Sequence, residues 1–261
     1  MKNKRIVVKV GTSSLTYDNG KLNLKRVERL CKVLSCIQNS GREVILVSSG
    51  AIGVGMGMLN LKERPESTKE RQALAAIGQC ELISTYLKFF SEYNHHISQV
   101  LLTRDVVDIK HSKEHVIDTF ETLIKMGIIP IVNENDTVAT DELDGSNFGD
   151  NDNLSAIVAK IVKADLLIIL TDFDGLYQED PRVNPNALQI KEVKVIDDHI
   201  KNLAKATGSN RGTGGMRSKI SAAELATNAG INCCVMSGND PNMIYKVFEG
   251  PMPGTLFIAE K

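Results

Sequence analysis

An open α/β sheet, mostly parallel and covered by helices on both faces, is the fold class this sequence predicts. Three observations lead there. Apolar runs of strand length alternate along the 261 residues with longer segments of helical period. A hydrophobic share of 42% is enough to fill a sizeable core. Clusters of Gly, Ser, Asn, Asp and Lys stand directly after the apolar runs, and an open α/β sheet builds its site there, outside the carboxyl ends of its strands.

In chain order, Arg5–Val10 reads as a buried strand that delivers Lys9 into Gly11-Thr12-Ser13-Ser14. An amphipathic helix over 23–39 follows, closed by a polar turn with Gly41. The strand over 43–47 ends in Ser48-Ser49-Gly50-Ala51. A long helix over 69–93 leads to the strand Ile97–Leu102, and a helix over 112–126 leads to a strand over 128–132 that ends in Asn133-Glu134-Asn135-Asp136. The acidic loop Gly149-Asp150-Asn151-Asp152-Asn153 opens a helix over 153–162, and the strand over 166–170 runs into Thr171-Asp172. A helix over 216–229 and a strand over 232–236 complete the pattern. The proline-bearing loops at 63–67 and 178–185 are too short to be linkers, so one domain over 1–261 is expected. Its N-terminal lobe would reach to about residue 160 and its C-terminal lobe begin at about 161.

Composition excludes several classes. Net charge is −1 and the 24% of charged residues mix in sign, which is no footprint of a nucleic-acid binder. Aromatic content is 5% without Trp, which argues against base stacking. The basic N-terminus is followed by an apolar run too short for a signal peptide and broken by Lys9, and no stretch is long enough to span a bilayer. The five cysteines form no C-x-x-C pair and have no histidine at zinc spacing, so neither a metal site nor a disulfide framework is expected, and a reducing cytoplasm is. Cys233 and Cys234 fall on a buried strand position.

The run 212–219, Gly-Thr-Gly-Gly-Met-Arg-Ser-Lys, crowds glycines into a turn and sets Lys219 just inside the following helix. Unobstructed backbone N–H groups, a helix N-terminus and a full positive charge together suit a phosphate. Taken alone, the run reads equally well as a loop opening a surface helix; Lys9 with Gly11 supplies a second station of the same kind. An isolated Asp-Asn pair is more often a helix cap, but two acidic amide clusters, at 133–136 and 149–153, exceed what one cap needs. A calcium loop counted from Asp144 fails because Phe148 and Ser155 stand where oxygen ligands belong. There is no G-x-x-x-x-G-K-[ST], and Gly53-Val54-Gly55-Met56-Gly57 lacks the spacing of a dinucleotide fingerprint. The five histidines form no nucleophile arrangement with Cys or Ser.

Six motifs together carry a resemblance. Lys9-Val10-Gly11-Thr12-Ser13, Val47-Ser48-Ser49-Gly50-Ala51, Val132-Asn133-Glu134-Asn135-Asp136, Phe148-Gly149-Asp150-Asn151-Asp152, Thr171-Asp172-Phe173-Asp174-Gly175-Leu176-Tyr177 with Asp180-Pro181-Arg182, and the run 212–219 resemble, in this order, the motifs of the amino acid kinase family. The Thr-Asp-x-x-Gly-Leu-Tyr segment is shared across the family, whereas the two acidic amide clusters are similar to its glutamate-phosphorylating branch. The resemblance extends to about residue 257 and implies a three-layer αβα sandwich with a mostly parallel central sheet.

It also implies a reaction: transfer of the γ-phosphoryl group of ATP to the side-chain carboxylate of L-glutamate, the first step of proline biosynthesis, with Mg²⁺ held mainly through the ATP phosphates. On this resemblance Lys9 and Lys219 are catalytic and Asp152 orients them. Ser49, Asp136 and Asn151 bind glutamate, and Asn133 and Asp150 complete a set suited to an ammonium and a carboxylate. Lys9, Gly11, Thr171, Asp172, Thr213, Gly214, Gly215, Met216, Arg217, Ser218 and Lys219 hold the nucleotide. A carboxylate acceptor is already ionised at neutral pH, so no general base is needed. Proline as a feedback inhibitor and a homo-oligomer, dimer or tetramer, are further implications; nucleic-acid and membrane partners are not expected. Many relatives carry a C-terminal domain of the PUA type, and the chain stops before one, so a short form is expected. Two other readings remain open: a kinase of N-acetylglutamate, aspartate, carbamate or a nucleoside monophosphate, and a non-catalytic sensor on the same scaffold. Asp136 and Asp150 favour an acceptor with a cation, and the pair of lysines favours catalysis.

Overall fold

The computed structural model describes residues 4–17, 19–103, 108–138, 151–206 and 215–259. Along the chain, β1 (Arg5–Val10) and the single turn α1 (Thr12–Leu15) precede α2 (Leu24–Asn39), β2 (Glu43–Ser48), α3 (Ala51–Met58) and α4 (Thr68–Ser91). Then come β3 (Ile97–Leu102), α5 (Lys110–Lys125), β4 (Ile129–Glu134), α6 (Asn151–Ile161) and β5 (Leu166–Thr171). The short strands β6 (Leu176–Tyr177), β7 (Gln189–Ile190) and β8 (Glu192–Val193) lead to α7 (Asp198–Ala206), α8 (Met216–Thr227) and β9 (Asn232–Ser237). A 3₁₀ turn (Pro241–Tyr245), α9 (Lys246–Glu249) and β10 (Thr255–Phe257) follow.

Among the described residues, eight strands form one sheet in the order β3-β4-β2-β1-β5-β9-β10-β8. The pairings from β3 across to β9 are parallel, and β10 runs antiparallel to β9. β1 therefore lies near the middle, with Lys9 in register with Val47 on one side and Ile169 on the other. β6 and β7 make a separate antiparallel pair.

Strand side chains alternate between faces, and this parity decides what each residue of β1 meets. Val7, Ile45, Val47, Leu167, Ile169, Cys233 and Val235 share one core with Phe120 of α5, Leu154 and Val158 of α6, and Ile220 and Ala223 of α8. Ile6, Val8, Val10, Leu46, Ile168 and Leu170 share the other with Val27 and Leu34 of α2 and Leu82, Tyr86 and Phe90 of α4. A helical layer on each face of the sheet gives three layers. Fully burying a side chain such as Leu82 or Phe90 contributes about 1.5 to 3 kcal/mol each, so both layers are held firmly. Lys9 has the parity of Val7 and thus faces the layer of α6 and α8.

At the amino end of the same strand, Arg5 is tied to several elements at once. Its Nε bonds Glu43 Oε2 at 2.6 Å and its Nη1 bonds Glu121 Oε1 at 2.6 Å and the Val162 carbonyl at 2.5 Å. The Arg5 backbone N–H donates to Asp165 Oδ2 at 2.8 Å, and Lys4 pairs with Glu43 at 3.3 Å.

The expected strands and long helices are all present, with ends shifted by a few residues. The fold adds α1, α3, α7, the 3₁₀ turn, α9 and the strands β6, β7, β8 and β10, none of which the sequence pattern predicts. α3 is instructive because three of its eight residues are glycines, which argues against helix on propensity. Packing overrides that. A Cβ at Gly78 of α4 would overlap the Ala51 carbonyl oxygen, and one at Gly55 would overlap the Leu74 carbonyl oxygen, so the glycines let α3 and α4 touch backbone to backbone. Gly50, at φ 110°, makes the left-handed turn that starts α3 directly after Ser49.

Candidate active site

The carboxyl ends of β1, β2, β4 and β5 meet the first turns of α6 and α8, and the side chains found there fall into a charged group and an amide group. Asp152, in the first turn of α6, is fully buried between two ammonium groups. Its Oδ1 lies 2.6 Å from Lys9 Nζ and its Oδ2 lies 3.2 Å from Lys219 Nζ. Ser218 Oγ stands 2.7 Å from the same Oδ2 and 2.9 Å from the Gly215 carbonyl. Burial alone would push the Asp152 carboxyl up; the two lysines, with hydrogen bonds from Lys9 and Ser218, outweigh it and hold it well below the ordinary carboxylate range. Lys9 and Lys219 are only 4% and 6% exposed, so both ammonium groups are held largely out of water against the one carboxylate. A Cβ on Gly11 would lie 3.5 Å from Lys9 Nζ, and glycine leaves that space open.

The amide group begins beside it, one residue away on α6. Asn151 Nδ2 lies 2.9 Å from Ser49 Oγ, 2.8 Å from Asn133 Oδ1 and 3.3 Å from the Ser48 carbonyl. Asn133, at the end of β4 and 1% exposed, accepts the backbone N–H of Glu134 at 2.9 Å on its Oδ1 and donates from Nδ2 to Gln79 Oε1 at 2.8 Å. Ser48 Oγ and Tyr86 hydroxyl share a hydrogen bond of 2.9 Å beneath this set. Asp136 follows β4, and burial pushes its carboxyl up to about 6 against the downward pull of Arg64.

Of the residues expected from the sequence, Lys9, Asp152 and Lys219 come together, as do Ser49, Asn133 and Asn151. Gly11 caps α1 and Gly215 caps α8. Thr171, buried at the end of β5, donates to the carboxylate of the exposed Asp172 at 2.9 Å. Met216 packs into the core with its side chain, Arg217 is exposed, and the Ser218 hydroxyl is taken up by Asp152. Asp150, Thr213 and Gly214 lie outside the described residues. Gln79 lies outside the six motifs, and Ser48 lies within one of them without a site role assigned to it. The signal for Gln79 was present as a Gly-Gln pair interrupting the apolar run from Leu74 to Ile77 on a long helix.

Fold and site together define a class. The amino acid kinase family model matches residues 4–237, and the chain belongs to that family. Its similarity to particular members is high. Glutamate 5-kinase of Clostridium perfringens (strain 13 / Type A) is 55% identical over 259 residues, covering 99% of this chain and 96% of that protein. Glutamate 5-kinase of Listeria innocua serovar 6a is 52% identical, covering 99% and 94%. Among solved structures, UMP kinase from Ureaplasma parvum superposes with a TM-score of 0.66 at 18% identity over the whole of both chains. The T. acidophilum isopentenyl phosphate kinase product complex gives 0.64 at 17% identity, covering 97% of this chain and 99% of that one. At such identities the structures speak to the fold, which they share.

Proposed function

We propose that this chain is an ATP-dependent kinase that phosphorylates the γ-carboxylate of L-glutamate, giving γ-glutamyl phosphate for proline biosynthesis. The observation that carries the chemistry is the buried cluster in which Lys9 and Lys219 converge on Asp152. An anionic carboxylate attacking an anionic phosphoryl group needs positive charge fixed in place before the reaction. Lys9 comes from the middle strand and Lys219 from α8, and the carboxylate between them offsets their repulsion and fixes both side chains. The transferred group, once bound, gains the interactions that Asp152 alone does not use up. The phosphoryl group then passes from the leaving group, ADP, to the carboxylate with no proton to remove.

The acceptor's identity rests on the amide group and on the 51–55% identical glutamate 5-kinases. Asp136 is a partly buried carboxylate held at a cost, which an ammonium of the bound amino acid would relieve, and Ser49, Asn133 and Asn151 suit its α-carboxylate and amine. Asp150, Thr213 and Gly214 keep the binding roles given by resemblance, as do Thr171, Asp172 and the start of α8 on the nucleotide side. In this reading the acceptor binds mainly in the N-terminal lobe and ATP in the C-terminal lobe. Among the described residues no cluster of three or more His, Cys, Asp or Glu is suited to a metal ion, and Asp152 is already engaged by both lysines. On the resemblance, Mg²⁺ would arrive on the ATP phosphates, where it would neutralise part of their charge. Proline inhibition, a dimer or tetramer and a cytoplasmic setting belong to the same reading, on the strength of the resemblance; no described helix is long and apolar enough to cross a membrane.

The test is ATP, Mg²⁺ and hydroxylamine with a panel of acceptors, since hydroxylamine traps an acyl phosphate as a hydroxamate. L-Glutamate is expected to give hydroxamate. Product from N-acetylglutamate or aspartate and none from glutamate would reject the assignment, as would ligand binding without turnover.

A further inference from the structure

The amide group holds a buried atom that the reaction scheme leaves unexplained. Asn151 Oδ1 is shielded from solvent and has no hydrogen-bond partner, while its Nδ2 is surrounded by Ser49, Asn133 and the Ser48 carbonyl. An unpartnered buried acceptor costs about 1 to 3 kcal/mol, so such an atom persists where a ligand supplies the donor. Its orientation depends on a chain of amides. The Asn151 amide can place Oδ1 toward a ligand only while Nδ2 is drawn the other way by Asn133 Oδ1. Asn133 in turn keeps Oδ1 on that side because its Nδ2 is received by Gln79 Oε1 and its Oδ1 is also held by the Glu134 N–H.

Gln79 is thus the far end of the chain, and the fold goes to some length to place it. It follows Gly78, where any side chain would collide with the Ala51 carbonyl, so α4 lies directly on the start of α3. That close approach brings a side chain of glutamine length within 2.8 Å of Asn133. A residue without an acceptor oxygen at 79 would leave the Asn133 N–H₂ buried and unpaired beside the site, and the amide of Asn133 would be free to reorient.

We propose that Gln79 is a positioning residue for the acceptor amino acid, acting through Asn133 to fix the Asn151 amide so that Oδ1 receives a donor of the bound substrate. The proposal deepens the glutamate kinase reading and rests on it. Its effect falls on acceptor binding, since the amide chain runs through Ser49, Asn133 and Asn151, the residues assigned to glutamate.

The experiment is steady-state kinetics of wild type, Gln79→Leu, Asn151→Ala and the double variant, with glutamate and ATP varied in turn. Gln79→Leu keeps the side-chain size and removes the acceptor. It is expected to raise the KM for glutamate about tenfold, the effect of one buried hydrogen bond, with the KM for ATP within about twofold of wild type. In the Asn151→Ala background the same substitution is expected to add less than about twofold, because residues acting through one another are not additive. An unchanged glutamate KM in Gln79→Leu, a parallel rise in both KM values, or a full tenfold further rise in the Asn151→Ala background would each overturn the proposal. Should Gln79→Leu fail to fold, Gln79→Glu retains an oxygen at the same reach. Its glutamate KM is expected within about threefold of wild type, and a tenfold rise would reject the acceptor role. Wild-type protein that makes no hydroxamate from glutamate would instead overturn the kinase assignment, and Gln79's role with it.

Discussion

The two ends of β1 each carry a cation on the same face of the sheet, and they are built on opposite principles. At the amino end Arg5 and Lys4 meet Glu43 and Glu121, with Asp165 accepting from the Arg5 backbone, so carboxylates match or outnumber cations. The Arg5 side chain is 16% exposed and Glu121 35%, so water screens the group as well. At the carboxyl end Lys9 and Lys219 share one carboxylate that is wholly buried. Taking unbalanced charge out of water is expensive, and a fold gains nothing from it unless an anion completes the set. A self-neutralising ion cluster fastens elements together. Two buried cations drawn onto one carboxylate at the carboxyl ends of the strands are in keeping with the phosphate-binding role proposed for them.

Substitutions at the two ends can break this contrast. The largest effect is expected from Asp152→Asn, which removes the carboxylate that the two buried ammonium groups share. A stability loss of about 3 to 5 kcal/mol is expected in denaturant unfolding, together with loss of turnover. Stability and kcat both near wild type would show that the carboxylate does not organise the lysines. Next comes Lys219→Ala, and likewise Lys9→Ala, each expected to lower kcat by about 2 to 4 kcal/mol of transition-state stabilisation with less effect on folding. Steady-state rates decide it, and a normal kcat in both would remove the assigned roles. Arg5→Met gives the reverse pattern, with a loss of about 1 to 2 kcal/mol in stability and kcat within about twofold of wild type. If kcat fell as far as in Lys219→Ala, the two ends would not be functionally distinct.

The smallest effect concerns pH. Asp152, Glu43 and Glu121 are all held below the ordinary carboxylate range, so their contribution to stability is complete above that range and is lost as pH falls through it. Asp136 has the opposite sign: its folded carboxyl is raised to about 6, so it protonates first as pH falls and can no longer pair with an ammonium. The KM for glutamate is therefore expected to rise as pH drops through about 6, with the KM for ATP changing less. A flat glutamate profile from pH 7 to 5.5 would count against Asp136 as the ammonium's partner.

Much of this was legible in the sequence. The long strands and helices announced themselves by period, and Lys9, Asp152 and Lys219 could be named because six motifs in order resemble those of the amino acid kinase family, two of them glycine-bearing stations with a lysine each. Their convergence on one carboxylate depends on strand parity and on α6 and α8 sharing a face, which the periodic pattern carries only implicitly. α3 was hidden because its glycines reduce helix propensity, and their benefit is a contact with a helix some twenty residues further on. Gln79 was marked only by the Gly-Gln pair on its long helix, which does not name a partner until Asn133 at the end of β4 is placed beside it. Ser218 shows how a motif can locate a residue without fixing its partner, since its hydroxyl serves Asp152 rather than standing free.

The position of β1 in the sheet has a consequence for biosynthesis. It is the first of these strands to leave the ribosome, yet only one flank can be covered early, by β2 ending at Ser48; the other waits for β5, which ends at Thr171. At translation speeds of roughly 5 to 20 residues per second that interval lasts on the order of ten seconds. The nascent chain therefore exposes an unfinished hydrophobic edge for most of its synthesis. Lys219 arrives later still, so a message cut short before α8 yields a polypeptide that lacks one of the two lysines proposed to act on the phosphoryl group.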